Sequence, residues 1–151
     1  MSIFPTRILL ATDGSEEALG AARTAVDLAE KTGSELHVAF VLRIRAAFEY
    51  DAMGFNIEEP HKEMQRMGKR LLDDYVRQVK EAGGDVAGAH FRMGRPDEGI
   101  VALGEEVGAG LIVMGSRGLG GVRRALMGSV SDSVVRHAHC PVMIVRPEET
   151  G

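Results

Sequence analysis

Short apolar runs alternate along this chain with longer stretches in which apolar residues recur every three or four positions. Runs bounded by turn residues predict buried strands, and the wider spacing predicts amphipathic helices. The runs predict five strands: Ile8–Ala11, Leu36–Leu42, Val86–Met93, Leu111–Met114 and Val142–Val145. The wider spacing predicts four helices: Ser15 (as N-cap) to Gly33, His61 to Gly83, Pro96 to about Val107, and Ser129 to about His137.

The order of these elements indicates a fold class. Strands that alternate with helices and are apolar almost throughout are typical of a parallel sheet covered on both faces. We therefore expect an α/β protein with an open, doubly wound, five-stranded parallel sheet of the Rossmann-like kind, residues 1–151 forming one domain. The last strand, Val142–Val145, is expected at a sheet edge, where an uncovered apolar strand can pair with a second copy of the chain.

The segment Arg43–Pro60 carries no regular period and is predicted to be a long connection. It is rich in aromatic and methionine side chains, which either fold over the sheet edge or form a surface for a partner. These side chains are Phe48, Tyr50, Met53 and Phe55.

Composition and charge argue against several classes of partner. The formal net charge is −4, which gives no basic field for nucleic acid or an anionic membrane. No apolar run approaches the ~18 residues needed to cross a bilayer. The first residues, Met1–Arg7, show no basic-then-apolar export signal. The single cysteine, Cys140, cannot form an internal disulfide, so a reducing cytoplasm is the expected location.

A glycine-rich segment follows the fourth predicted strand. Its spacing is Gly115-x-x-Gly118, nine further residues, and then Gly128-Ser129 at the start of a predicted helix. Glycines let backbone N–H groups converge on an anion, and a helix N-terminus adds its dipole. The segment therefore predicts a phosphate site and points to a nucleotide ligand. Three arginines add positive charge there, although the last two are also typical of a solvated surface: Arg117, Arg123 and Arg124.

Two other strand ends are expected at the same place. Ligands of doubly wound folds bind beyond the carboxyl ends of the strands, where the winding reverses. Asp13 follows the first predicted strand, and Val41 lies near the end of the second. An ionised aspartate only accepts hydrogen bonds, which suits a ribose diol. Asp13-Gly14-Ser15 is also ordinary turn and helix-cap chemistry, and that alternative stays open.

Five segments together resemble one known family: Ile8-Leu-Leu-Ala-Thr-Asp-Gly-Ser15, His37-Val-Ala-Phe-Val41, Gly115-Ser-Arg-Gly118, Gly128-Ser129-Val130 and His139-Cys-Pro-Val-Met-Ile-Val145. They are similar to the universal stress proteins, in particular the ATP-binding subgroup, over essentially the full chain. The resemblance implies a dimeric regulatory module of the stress response that binds ATP, with Mg²⁺ carried by the phosphates. It also implies a homodimer joined through Val142–Val145 and a protein partner of unknown identity.

The resemblance further implies a role for each segment of the nucleotide site. Ala11 and Val41 would flank the adenine, with the Val41 backbone reading its edge, and Asp13 would accept hydrogen bonds from the ribose. Met114, Gly115 and Gly118 would line the ribose and first phosphate, and residues 128–130 would bind the phosphate tail. The expected nucleotide-binding residues are Ala11, Thr12, Asp13, Val41, Met114, Gly115, Arg117, Gly118, Gly128, Ser129 and Val130.

Other functions remain to be weighed against this one. An ATPase or adenylate-forming enzyme is an alternative, but the chain has neither a Gly-x-x-x-x-Gly-Lys-Ser/Thr element nor a Ser-Gly-Gly-x-Asp-Ser loop, so at most slow hydrolysis is expected. A dimeric scaffold that binds no nucleotide is a second alternative. His137, His139 and Cys140 suggest a metal site, but a second ligand pair is missing from the sequence and we expect none. We likewise expect no nucleophilic role for Cys140.

Overall fold

The computed structural model of the chain describes residues 2–14, 18–44, 58–116 and 128–147. Within them, five strands form one sheet: β1 (Arg7–Thr12), β2 (Glu35–Arg43), β3 (Val86–Gly94), β4 (Leu111–Gly115) and β5 (Val142–Val145). The described residues between them include four helices: α1 (Ala18–Thr32), α2 (Glu58–Glu81), α3 (Pro96–Val107) and α4 (Ser129–His137). None of these helices combines the length and apolar character that a membrane span requires.

The sheet is doubly wound. Its strand order is β3-β2-β1-β4-β5, and all neighbouring strands are parallel. From β1 the chain moves outward through β2 to β3, then crosses back to β4 and β5 on the other side. This confirms the predicted fold class and the predicted position of β5 at a sheet edge.

Two apolar layers explain why the central strands are such clear apolar runs. Alternate residues of a strand face opposite sides of the sheet. In β1, Ile8 and Leu10 pack with residues of α1 and α2, whereas Leu9 and Ala11 pack with residues of α3 and α4. All four are almost fully buried, so the strand shows no polar alternation. The helices that cover both faces therefore produce the pattern read from the sequence.

The boundaries of the predicted connection Arg43–Pro60 need correction at both ends. Arg43 belongs to β2, and α2 begins at Glu58 rather than at His61. Pro60 thus lies in the first turn of a helix, where the missing N–H of proline has no intrahelical partner to lose. The predicted cap Ser15 and the aromatic side chains of the connection lie outside the described residues.

Candidate functional site

The sheet separates between β1 and β4 at its carboxyl edge. The register of this pair runs from Ile8↔Leu111 to Leu10↔Val113 and ends there, although β1 continues to Thr12 and β4 to Gly115. On its other edge β4 stays paired with β5 from Ile112 to Gly115, and the Ser116 N–H donates to the Val145 carbonyl at 2.8 Å. This separation lies where the winding reverses, which is the position of ligand crevices in open α/β sheets.

A tight turn follows β1 at this point. The buried Thr12 hydroxyl accepts a hydrogen bond from the Gly14 N–H at 2.9 Å. Gly14 has φ +86°, a conformation that favours glycine. The side chain of Thr12 therefore shapes the turn, and Asp13, partly buried, is the residue at its centre. The carboxylate expected at the ribose thus stands directly beside the separated strands.

The neighbouring strand β2 extends beyond β1. Thr12↔Phe40 is the last registered pair between them, so Val41 is the first residue of β2 beyond that pairing. The first turn of α3 covers its side chain. A β-carbon placed at Gly99 would lie only 2.8 Å from a Val41 methyl carbon, so only glycine permits this close approach.

Three of the predicted residues belong to the core at these strand ends. Ala11, Val41 and Met114 are each at most 1% exposed and lie in the apolar layer between the sheet and the helices α3 and α4. Gly115, at the end of β4, is buried as well. The structure therefore brings these residues and Asp13 to adjacent strand ends, with Ala11, Val41 and Met114 in the apolar layer beneath them.

The predicted phosphate residues Gly128, Ser129 and Val130 form the start of α4. Gly128 takes the N-cap position with extended backbone angles, φ −63° and ψ 163°, and no described side chain caps the helix there. Its carbonyl accepts from the Asp132 N–H at 3.0 Å and from the Ser131 hydroxyl at 3.1 Å. The first N–H groups of a helix have no intrahelical acceptor, and their dipole favours an anion. Ser129 is exposed, so its hydroxyl is accessible to a ligand.

Two residues of the predicted set, Arg117 and Gly118, lie outside the described residues, as do Arg123 and Arg124.

The chain matches the model of the universal stress protein family over residues 5–146. It belongs to that family. A universal stress protein of Staphylococcus aureus is 36% identical to this family member over 143 residues, which cover 94% of this chain and 84% of the relative.

Solved structures show the same fold. A universal stress protein in complex with cAMP is 25% identical to this chain, with a TM-score of 0.68. The match covers 97% of this chain and all of that protein's chain. The universal stress protein of Archaeoglobus fulgidus in complex with dAMP is also 25% identical to this chain, with a TM-score of 0.64. The match covers 94% of this chain and 98% of that protein's chain. Some members of the family with this fold therefore bind adenine nucleotides.

A polar contact that sequence reasoning missed joins α3 and α4 in this family member. The Ser133 hydroxyl donates to an Asp97 carboxylate oxygen at 2.8 Å, and Arg95 lies 3.3 Å from the same oxygen. Burial alone would raise the pKa of Asp97, but the hydrogen bonds from Ser133 and from the backbone, together with Arg95, outweigh it and lower that pKa. An aspartate in the first turn of a helix was the visible signal, but its partner lies 36 residues away.

The histidines and cysteine near the end of the chain have separate partners. His137 Nδ1 lies 2.8 Å from the Ser133 carbonyl oxygen, and His139 Nε2 lies 2.7 Å from a Glu105 carboxylate oxygen. Burial raises the pKa of the Cys140 thiol, so the reactive thiolate is disfavoured. Among the described residues, no three His, Cys, Asp or Glu side chains are arranged to hold a metal ion.

Proposed function

We propose that this universal stress protein binds ATP, with its Mg²⁺, between β1 and β4 and acts as a dimeric regulatory module of the stress response. The observation that carries the proposal is the separation of these strands beyond Leu10↔Val113. It provides a crevice at the point where open α/β sheets bind ligands. Asp13 stands beside this separation, and the chain runs on from β4 to the start of α4.

The groups of the site match the parts of an adenine nucleotide. Val41 lies beyond the β1 pairing of its strand, which suits backbone recognition of the adenine edge. Asp13 supplies acceptors for ribose hydroxyls. The first turn of α4 supplies backbone N–H groups for phosphate, and Ser129 adds an exposed hydroxyl. Mg²⁺ would be held mainly by the phosphates and water, which is its usual mode of binding with nucleotides.

The two nucleotide complexes of the family support adenine and phosphate as the recognised features. Both cAMP and dAMP contain adenine and a phosphate on the 5′ oxygen, whereas dAMP lacks the ribose 2′-hydroxyl. A site that recognises the base at one end and phosphate at the other would accept either. ATP has the same two features with a longer phosphate tail, which the glycine motif from Gly115 to Ser129 suits.

A regulatory role is favoured over efficient catalysis. Phosphoryl transfer requires a group that orients the attacking water and usually a cation on the transferred phosphate. The sequence has neither a Gly-x-x-x-x-Gly-Lys-Ser/Thr element nor a Ser-Gly-Gly-x-Asp-Ser loop. Binding would therefore report the nucleotide level and change what the protein contacts, with at most slow hydrolysis.

Calorimetric titration of the full chain with Mg-ATP and Mg-GTP tests this proposal. We expect saturable binding of ATP and much weaker binding of GTP, because the adenine edge is recognised. Gly118→Val should abolish ATP binding without lowering the Tm, because a side chain at this glycine blocks close approach of the backbone to phosphate. Equal binding of the two nucleotides, or none of either, would contradict the proposal.

A further inference from the structure

The first turn of α3 contacts both sides of the proposed nucleotide site. At Gly99 it packs directly on Val41, the residue expected at the adenine. At Asp97 it accepts the hydrogen bond from Ser133 of α4, the helix whose N-terminus is expected at the phosphates. One short segment, residues 96–99, therefore connects the base end and the phosphate end of the crevice.

The Asp97–Ser133 contact is a short hydrogen bond between a hydroxyl and a carboxylate. The donor–acceptor distance is 2.8 Å, and the Asp97 side chain is only 17% exposed. Arg95 reaches the same carboxylate oxygen at 3.3 Å, and the pKa of Asp97 is lowered, so the acceptor is an ionised carboxylate at neutral pH. Hydrogen bonds to ionised, partly desolvated acceptors are stronger than neutral ones.

Helix geometry carries this contact to the start of α4. Ser133 follows Ser129 by four residues, which places both on the same side of the helix, one turn apart. His137, another turn further on, has its Nδ1 at 2.8 Å from the Ser133 carbonyl oxygen and 3.3 Å from its hydroxyl. The hydrogen bond of Ser133 to Asp97 therefore restricts how far α4 can slide along its axis or rotate about it. It acts about one helical turn from the proposed phosphate contact.

We infer that Asp97 and Ser133 are positioning residues for phosphate recognition: their hydrogen bond holds the N-terminus of α4 at the distance from β2 that an adenine nucleotide requires. This inference rests on the proposed function. Neither residue needs to touch the ligand. Their effect is exerted through the N–H groups of residues 129–131 and the hydroxyl of Ser129.

The apolar core holds α3 and α4 together by itself, which separates this role from a general contribution to folding. Ile100 and Leu103 of α3 and Val134 of α4 are almost fully buried in the same layer. Dispersion and burial are not directional, so they leave the sliding and rotation of a short helix less restricted than a hydrogen bond does. Loss of the Asp97–Ser133 hydrogen bond should therefore change phosphate recognition more than it changes folding.

A double-mutant cycle with two ligands tests the inference. The Kd values of Mg-ATP and of adenosine are measured by calorimetry for the wild type, Ser133→Ala, Asp97→Ala and the double variant. We expect each single variant to weaken ATP about fivefold and adenosine less than about twofold, because only ATP uses the phosphate end. The double variant should be no weaker than about fivefold, since both substitutions remove the same contact.

Two further variants serve as controls. Ser133→Thr retains the hydroxyl and should restore ATP binding to within about twofold of the wild type. Glu105→Gln removes a charge from α3 about 12 Å further along the helix and should change neither affinity. Thermal unfolding of every variant identifies those that do not fold. If an Asp97 variant does not fold, the ATP and adenosine affinities of Ser133→Ala are compared with those of Ser133→Thr.

The outcomes distinguish this inference from the proposed function. Normal ATP binding by Ser133→Ala, equal losses for ATP and adenosine, or single effects that multiply to about 25-fold in the double variant would each overturn the positioning role while the nucleotide site stands. A wild-type protein that binds neither ligand overturns both.

Discussion

At the scale of single residues, Asp13 carries the most specific chemistry proposed for the site. We expect Asp13→Ala to weaken Mg-ATP binding by about 1.5–3 kcal/mol, the range for hydrogen bonds to a charged acceptor. Titration calorimetry measures the effect. Asp27→Ala removes the same charge from an ion pair with Lys31 on the surface of α1 and should leave the affinity unchanged.

The ribose role of Asp13 has its own test. If its carboxylate accepts from ribose hydroxyls, then 2′-deoxy-ATP or 3′-deoxy-ATP must bind the wild type more weakly than ATP. The role is wrong if both analogues bind as tightly as ATP.

A second residue-scale prediction concerns His90, which faces His37 across β2 and β3 with 3.3 Å between His37 Nδ1 and His90 Nε2. Burial, followed by the charges of His37 and Arg92, lowers the pKa of His90 below its usual 6.5, and Glu106 opposes this in part. The unfolded chain therefore binds the proton more readily than the folded protein. The titration of His90 should therefore not reduce the free energy of unfolding above about pH 6.5, and it should reduce that free energy as the pH drops below this value.

Denaturant unfolding at a series of pH values measures this slope. His90→Gln should flatten it, whereas His61→Gln, which removes a histidine of α2, should leave it as in the wild type. An unchanged slope in His90→Gln would show that this histidine does not set the acid sensitivity.

At the scale of secondary-structure elements, the packing of α2 on β3 depends on one glycine. A β-carbon at Gly68 would lie 2.2 Å from the ring of Phe91, which is half-buried and stacks against Phe40. Gly→Ala inside a helix normally stabilises by about 1 kcal/mol. Here we expect Gly68→Ala to destabilise the protein by about 1 kcal/mol, because the free-energy cost of overpacking against Phe91 exceeds the stabilisation from the higher helix propensity of alanine.

Chemical denaturation gives the free energy of unfolding for this variant. In the Phe91→Leu background the ring is absent, and Gly68→Ala should then be neutral or stabilising. A stabilised Gly68→Ala protein with Phe91 intact would contradict the close contact.

The elements also show what local sequence determines and what it does not. The central strands β1 and β4 were predictable because both of their faces are buried and their runs are therefore continuously apolar. The edge strand β3 is only partly buried, and its sequence alternates loosely. The start of α2 was not, because Glu58 and Glu59 add no apolar signal and Pro60 is usually a helix breaker. Its position in the first turn, where proline is tolerated, depends on where the helix begins.

At the scale of the whole molecule, the exposed edge of β5 predicts self-association. Met143 is 37% exposed on this apolar edge strand. We expect the protein to sediment as a dimer and Met143→Lys to shift it to the monomer, because lysine on an edge strand opposes pairing. Met67→Lys is a matched control, since Met67 is a 49% exposed methionine on α2. A monomeric wild type, or equal effects of the two substitutions, would contradict dimerisation through β5.

The candidate site was predictable to the extent that the topology brings strand ends together. Asp13 lies just beyond the end of one predicted strand and Val41 near the end of another, and parallel strands place such ends at one edge. The contact between Asp97 and Ser133 was not predictable, because it joins two helices through 36 residues of chain and depends on how α3 packs on α4. Long-range contacts of this kind follow from packing rather than from any local pattern.

The nucleotide content of the freshly purified protein tests the central claim most directly. The protein is denatured, and the released small molecules are separated by chromatography. We predict an adenine nucleotide close to one per chain, and its phosphate count would show whether hydrolysis occurs. Protein that releases no nucleotide and also fails to bind added Mg-ATP would contradict the nucleotide site and favour a dimeric scaffold.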